Sequence, residues 1–349
     1  MKKTTLLKTT CAALATTLLA ALTTRAGIDI NDNVTLAGYA AGSLTYHKTK
    51  TNSESTADLD AAQLAALLKF DPITAKLSIY TPAGAHQLYL LDACATYNLP
   101  QGFSITAGRY LSYIGFTPFD APDKAFITSS VPNAAPFTGT PGYHEGARLD
   151  YQQGNWTAGL SVVDSLYSPP DQPYRGDASA GNGLGIEAKA RYTTDKWTAN
   201  LSLGYENQKQ SPERDDNGLP IHNPGSPQIY IADLWAKWKP AENTTLGAEA
   251  FYRRDHVNKD SNYPNLKQNT WFILAQFKQQ VDETYGFGAR ISAGGQALGN
   301  YWKITVLPLS YTASKNLELR LEFSYTKFSN RVTTISNDGF AGLQAILKF

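Results

Sequence analysis

An all-β fold, a transmembrane up-and-down antiparallel barrel of about sixteen strands, is what this sequence predicts from three observations. Apolar residues recur at every second position in many short segments, the connections between those segments alternate between short and long, and aromatic residues flank each short connection. Period-two alternation is the pattern of a strand with unlike faces, and an amphipathic helix would repeat near 3.6.

The first 26 residues stand apart as an expected cleaved signal peptide. Lys2, Lys3 and Lys8 make a basic start, an apolar stretch follows from about Thr9 to Leu22, and Thr24-Arg25-Ala26 supplies a small-residue exit. That stretch is too short to span a bilayer as a helix. A lipid attachment at Cys11 is disfavoured, because Thr9 and Thr10 stand where apolar and small residues would be needed. Loss of Lys2, Lys3, Lys8 and Arg25 takes the formal charge from +1 to −3, and nothing suggests a nucleic-acid partner. The remaining chain, 27–349, keeps a single cysteine, Cys94, so it cannot form an intrachain disulfide. It contains no methionine, and the full chain has 20 Tyr and 6 Trp, a composition suited to strands with one face in lipid and the other in water.

The expected strands are 34–46, 58–70, 73–80, 88–98, 103–110, 146–152, 156–164, 184–192, 197–206, 229–239, 244–253, 269–281, 285–293, 301–311, 317–328 and 340–349. The pattern is cleanest where Leu317, Leu319, Leu321, Phe323 and Tyr325 alternate with Glu318, Arg320, Glu322 and Ser324, and where Ile186, Ala188 and Ala190 alternate with Glu187, Lys189 and Arg191. Pro308 cannot donate a ladder hydrogen bond, so a bulge or a change of register is expected in the fourteenth segment. The alternative counts are 14 and 18 strands, and 18 would come from a further hairpin within 111–145 or 207–228.

Short connections fall at 71–72, 99–102, 153–155, 193–196, 240–243, 282–284 and 312–316, and longer ones at 47–57, 81–87, 111–145, 165–183, 207–228, 254–268, 294–300 and 329–339. Tight periplasmic turns and elaborated outer loops would give this division, and an even strand count puts both chain ends on the periplasmic side. Phe70, Tyr97, Phe103, Tyr151, Trp156, Tyr192, Trp197, Trp238, Tyr285 and Tyr311 lie beside the short turns, as a girdle at the headgroup level would require. Outer-membrane lipid and lipopolysaccharide are then the expected surroundings. Tyr80, Tyr110, Tyr205, Tyr230, Tyr252, Trp271 and Trp302 mark the other rim more loosely.

The chain ends in Ala345-Ile346-Leu347-Lys348-Phe349. Here it resembles bacterial outer-membrane barrels in general, and the resemblance implies that the terminal Phe349 is the signal read by the barrel-assembly machinery.

Residues 111–145 form the longest connection and hold Phe116, Phe119, Phe126, Ile127, Val131 and Phe137. So many large apolar side chains need something to pack against. The stretch Gly108-Arg109-Tyr110-Leu111-Ser112-Tyr113-Ile114-Gly115-Phe116, continuing through Asp120 to Pro141-Gly142, resembles the bacterial β-barrel porin family with outer-membrane-protein-L-like members. That resemblance implies a water-filled channel for passive diffusion of small hydrophilic solutes and ions, with 111–145 folded inward as a constriction. An external lid or a trimer contact is the alternative for this loop. The resemblance also allows a homotrimer, for which the sequence has no separate signal.

Strand phase places twelve bases toward the lumen, Lys69, Lys76, Arg148, Lys189, Arg191, Lys237, Arg253, Lys278, Arg290, Lys303, Arg320 and Lys348. Seven acids share that face, Asp92, Asp150, Glu187, Asp233, Glu249, Glu318 and Glu322. The expected constriction sets Asp120, Asp123 and Lys124 of the loop against Arg148, Lys189, Arg290 and Arg320 of the wall, an acidic loop before a basic wall. Trp235, Phe251 and Phe272 also fall on the inward phase, which would suit stacked sugars in a substrate-specific channel. An outer-membrane enzyme is a further alternative, since His47, His86, His144, His222 and His256 all fall in expected outer loops, but no catalytic motif surrounds them. An adhesin is the remaining one. No cofactor or metal is expected: Glu213-Arg214-Asp215-Asp216-Asn217-Gly218 lacks the distal Glu of a calcium loop and reads as an Asn-Gly turn.

Overall fold

The computed structural model describes residues 27–349 apart from 83–86, 131–141, 167–183, 208–212, 215–219, 223–226, 258–265, 297–298 and 331–336. The expected signal peptide, 1–26, lies outside the described residues. Sixteen antiparallel strands form the wall: β1 (Val34–Thr49), β2 (Ser53–Phe70), β3 (Ile73–Pro82), β4 (Tyr89–Asn98), β5 (Phe103–Leu111), β6 (Tyr143–Gln153), β7 (Trp156–Val163) and β8 (Gly185–Thr193), followed by β9 (Trp197–Asn207), β10 (Pro227–Ala241), β11 (Thr244–Val257), β12 (Leu266–Gln280), β13 (Tyr285–Gln296), β14 (Gly299–Ser314), β15 (Leu317–Asn330) and β16 (Asn337–Lys348). Each pairs with its neighbours in sequence, and β16 pairs with β1 in a register running from Asp338 opposite Thr49 to Lys348 opposite Tyr39. That last ladder closes the sheet and leaves it without an edge, as a membrane-spanning sheet requires.

The wall is apolar outside and polar inside. Along β15, Phe323 is 47% exposed while its neighbour Glu322 is fully buried, and Tyr325, Leu343, Leu203 and Ile186 face outward in the same way. Such an inversion of the usual soluble arrangement is stable only against lipid.

All sixteen expected strands are present, with several extended at their outer ends. The extensions overturn the strict division of connection lengths, because β1 and β2 are joined by 50–52 and β13 and β14 are interrupted only at 297–298. They also move three histidines out of loops: His47 lies on β1, His144 on β6 and His256 on β11. The second candidate hairpin exists at Glu213–Arg214 with Pro220–His222, but it forms its own two-stranded sheet and adds nothing to the wall.

Pro308 acts as expected, since the β14 register slips between Val306 and Leu309 against β15, and between Gly286 and Gly288 on the β13 side. At the β6–β7 turn, Gly154 adopts φ +55, a left-handed conformation favourable to glycine.

Rings meet in pairs across neighbouring strands at the short-turn end. Trp197 stacks on Trp238 at 5.2 Å, Trp156 lies 4.9 Å from Tyr192, Phe103 4.5 Å from Tyr151 and Tyr285 5.2 Å from Tyr311. At the opposite rim Tyr205 and Tyr230 pair at 5.1 Å, and Trp302 and Tyr325 at 5.5 Å. Tyr80 and Tyr110 do not join that rim. Both are buried on the inner face, because they share the phase of Ser78 and Thr106 rather than that of Ile79 and Ile105.

Candidate functional site

The connection after β5 is described from Ser112 to Ser130, and its main chain is bonded to polar side chains of the inner wall at residues 113–116, 121–122 and 127–130. Main-chain N–H and C=O groups drawn away from water need partners, and this segment contains only a short 3-10 turn, Ala121–Asp123. Wall carboxylates accept from its amides: Tyr113 N–H donates to Glu187 Oε2 at 3.4 Å, Gly115 N–H to Asp233 Oδ2 at 2.7 Å, and Phe116 N–H to Glu249 Oε1 at 3.0 Å. Farther along, Ile127 N–H and Thr128 N–H donate to the two oxygens of Glu322 at 2.5 and 3.1 Å, and the Thr128 hydroxyl adds a third bond at 2.6 Å.

Wall bases and hydroxyls answer its carbonyls. Arg320 donates to Ala121 O at 3.1 Å and Pro122 O at 3.2 Å, while Arg290 donates to Thr128 O at 2.8 Å and Ser129 O at 3.0 Å. Lys303 Nζ reaches Ser129 O at 2.8 Å, Ser292 Oγ reaches Ser130 O at 2.7 Å, and Ser202 Oγ reaches Tyr113 O at 3.0 Å. Residues 113–116 meet β8 to β11, whereas residues 121–122 and 127–130 meet β13 to β15, so the segment is held to two stretches of the wall.

Apolar packing fastens the same segment. Ile114 and Phe116 join Trp235, Phe251, Phe272 and Leu274 in one buried cluster, with Phe116 5.5 Å from Trp235 and Phe251 stacked on Phe272 at 4.7 Å. Phe119 sits between Tyr80 and Tyr143, at 5.4 and 5.3 Å, and Phe126 lies 4.6 Å beneath the Arg290 guanidinium. Trp235, Phe251 and Phe272 therefore point inward as expected, but they are buried in the cluster with Ile114 and Phe116.

The expected constriction residues occupy three places. Asp120 is buried and accepts from the Tyr39 hydroxyl at 3.5 Å, and Asp123 is exposed. Lys124 lines a cavity, with burial pushing its ammonium below the usual range and Asp120 partly offsetting that. Arg148 and Lys189 belong to a separate group around Asp150, at 3.4 and 3.0 Å, to which the Tyr113 hydroxyl also donates at 2.9 Å. Burial, reinforced by the Asp150 charge, pushes that phenol well above its usual range.

Arg290 and Arg320 bond the main chain of the segment rather than its carboxylates. The simple picture of an acidic loop before a basic wall thus gives way to alternating acids and bases that satisfy a backbone. Sequence phase had put Asp233, Glu249, Lys303 and Glu322 on this face without revealing that role. Asp60 and Asp338 were missed altogether. Asp60 follows a slip in the β1–β2 register between Ala41 and Gly42, which disturbs the alternation on β2, and Asp338 lies beyond the strand start predicted at 340.

Beside the segment a cavity of about 520 Å³ remains, lined by β1, β2, β3, β14, β15, β16 and residues 119–129; its charged side chains include Asp60, Asp338, Lys124 and Lys303. Among the described residues no group of His, Cys, Asp and Glu is arranged to hold a metal ion.

Residues 42–349 match the model of the family described as Putative beta-barrel porin-2, OmpL-like. No curated protein sequence matches the chain. Solved structures with the same architecture include the outer membrane channel DcaP of Acinetobacter baumannii, at 14% identity and TM-score 0.65, covering 93% of this chain and 100% of that one. The anion-selective porin from Comamonas acidovorans matches at 10% identity and TM-score 0.65 over 90% and 99% of the two chains. OmpT of Vibrio cholerae matches at 12% and 0.62 over 92% and 100%. At these identities the likeness concerns the fold.

Proposed function

The chain belongs to the putative beta-barrel porin-2, OmpL-like family and is an outer-membrane channel protein, and from that premise we propose that it passes small hydrophilic solutes and ions by passive diffusion through a lumen narrowed by residues 112–130. The observation that carries this reading is the bonding of that segment, amide to wall acid and carbonyl to wall base, at residues 113–116 to one stretch of the wall and at residues 121–122 and 127–130 to another. Sixteen strands enclose an aqueous interior wider than side chains alone can fill, and a pinned segment leaves a passage on one side.

Asp120, Asp123 and Lys124 belong to the narrowed section in this reading, with Arg290 and Arg320 as its anchors and Arg148 and Lys189 as a second charged group lining the lumen. The chain acts without catalysis. Residues 1–26 are removed on export, Phe349 serves the barrel-assembly machinery, and the surroundings are outer-membrane lipid and lipopolysaccharide. A homotrimer fits the same reading, since one of the Vibrio cholerae OmpT structures is described as a trimer form. Sugar stacking on Trp235, Phe251 and Phe272 gains no support, because the segment covers them.

Planar-bilayer recording of the purified protein tests the proposal. Stable ohmic steps are expected, and deletion of residues 118–138 should raise the step size. Silence over many insertions would refute the channel, and an unchanged step after the deletion would make the segment an outer lid.

A further inference from the structure

The cavity beside the segment has a charge pattern that a general aqueous passage does not need. Its bases, Lys124 and Lys303, sit on the segment and on β14, and its acids, Asp60 and Asp338, on β2 and β16. The two signs are balanced but not joined to each other. The Lys124 N–H donates to Asp120 O at 3.3 Å, but its ammonium makes no hydrogen bond or ion pair among the described residues and is acted on through space by Asp120, Arg320, Asp60 and Arg290. Lys303 spends its ammonium on Thr128 Oγ1 and Ser129 O, both at 2.8 Å. Asp60 accepts from Ser43 and from Gln344 Nε2, at 2.6 and 2.7 Å, and Asp338 lies 3.6 Å from His47 Nδ1. Gln344 Oε1 is buried with no hydrogen-bond partner. Between these groups the wall is aromatic, with Tyr80, Phe119 and Phe340.

A lone anion entering this space is drawn to Lys124 and repelled by Asp60 and Asp338, and a lone cation meets the reverse. A solute carrying both charges loses water against both sets of partners at once, because its carboxylate can face the ammonium of Lys124 while its own ammonium faces Asp60 or Gln344 Oε1. The volume, about 520 Å³, falls within the range of small-molecule pockets, roughly 300–1,000 Å³. The geometry points to a compartment that favours zwitterionic solutes of the amino-acid type, including those with an apolar or aromatic side group, over singly charged molecules of equal size. This inference rests on the channel reading above.

The test is uptake by liposomes carrying the full-length mature protein, corrected for protein-free liposomes, with arabinose as the neutral reference. Three isosteres are compared at pH 7: phenylalanine as the zwitterion, 3-phenyllactate as the anion and phenylalaninol as the cation. Phenylalanine is expected to enter faster than either by up to about fivefold, the scale of one hydrated ion pair. Lys124→Gln should remove the preference over phenylalaninol, and Asp60→Asn the preference over 3-phenyllactate, each read as a rate relative to arabinose in the same variant. Equal entry of the three isosteres with normal arabinose uptake overturns the zwitterion preference and leaves the channel standing. A preference that survives both substitutions overturns the assignment to this cavity. Failure of arabinose to enter through the wild-type protein overturns both readings.

Discussion

Removing the pair that pins Thr128 should open the lumen, and the size of the effect follows from its bonds. Glu322 accepts from Ile127 N–H, Thr128 N–H and Thr128 Oγ1, and Arg290 donates to the carbonyls of Thr128 and Ser129. Both side chains are buried. A hydrogen bond to a charged group contributes about 1.5–3 kcal/mol where water is excluded. Truncating one member of a buried charged set costs about 3–5 kcal/mol, because its partners stay behind unpaired. The double variant Glu322→Ala/Arg290→Ala avoids leaving either charge opposite an empty position.

With six bonds removed, counting that from Arg290 to the Thr128 hydroxyl at 3.3 Å, and hydration and non-additivity holding the loss to about 3 kcal/mol, the ratio of docked to undocked segment should fall by about two to three orders of magnitude. In planar bilayers the variant should show either a larger conductance step or rapid flicker to a larger level, with the wild-type step as its floor. Barrel assembly is checked separately by heat-modifiable mobility in gels. If the assembled variant keeps the wild-type step and noise, the bonds from Glu322 and Arg290 do not hold a constriction and the anchoring argument is wrong.

Arg320→Gln should move the zero-current potential in a salt gradient toward cations, since it removes a positive charge beside Glu318, and a move toward anions would contradict the lumenal placement. Gly38→Ala should reduce the heat-modifiable fraction: the added Cβ would fall 2.6 Å from both Gln63 O and the Phe349 ring at the β16–β1 seam, an overpacking that costs about 1–3 kcal/mol. Trp238→Ala breaks the stack with Trp197 and should lower the urea midpoint, the stack itself contributing about 1 kcal/mol of stability beyond the loss of buried area; an unchanged midpoint would mean the stack is not part of a stabilising girdle. In a Cys94→Ser background, an impermeant thiol reagent on intact cells should label Lys50→Cys and spare Gly154→Cys, and the opposite pattern would invert the barrel.

The strand count, the strand phase and the rings beside the short turns were legible in the sequence because a barrel wall repeats one local rule. Leu317 to Tyr325 and Ile186 to Ala190 alternate at period two, and every short turn has a ring beside it, so each strand reports its own two faces without knowledge of its neighbours. The rule failed where local geometry interrupts it. Tyr80 and Tyr110 are inward residues that their place beside the longer connections marked as rim aromatics, and His47, His144 and His256 lie on strands that continue past the apolar band.

The site divides the same way. That Arg290, Lys303, Arg320, Asp233, Glu249 and Glu322 face inward follows from alternation, and that residues 111–145 need something to pack against follows from their phenylalanines. Which wall charge meets which atom of the segment does not follow, because Gly115 with Asp233 and Thr128 with Glu322 are separated by 118 and 194 residues. The sequence by itself determined a closed, inside-out barrel, since lipid outside and water inside impose a periodicity that each strand carries alone. Only the tertiary structure decided that the lumenal charges serve the main chain of one irregular segment and that Asp60, Lys124, Lys303 and Asp338 share a cavity. Those pairings arise when closure of β16 on β1 sets the curvature of the wall, and hydrogen bonding between distant groups depends on that three-dimensional separation rather than on any local pattern.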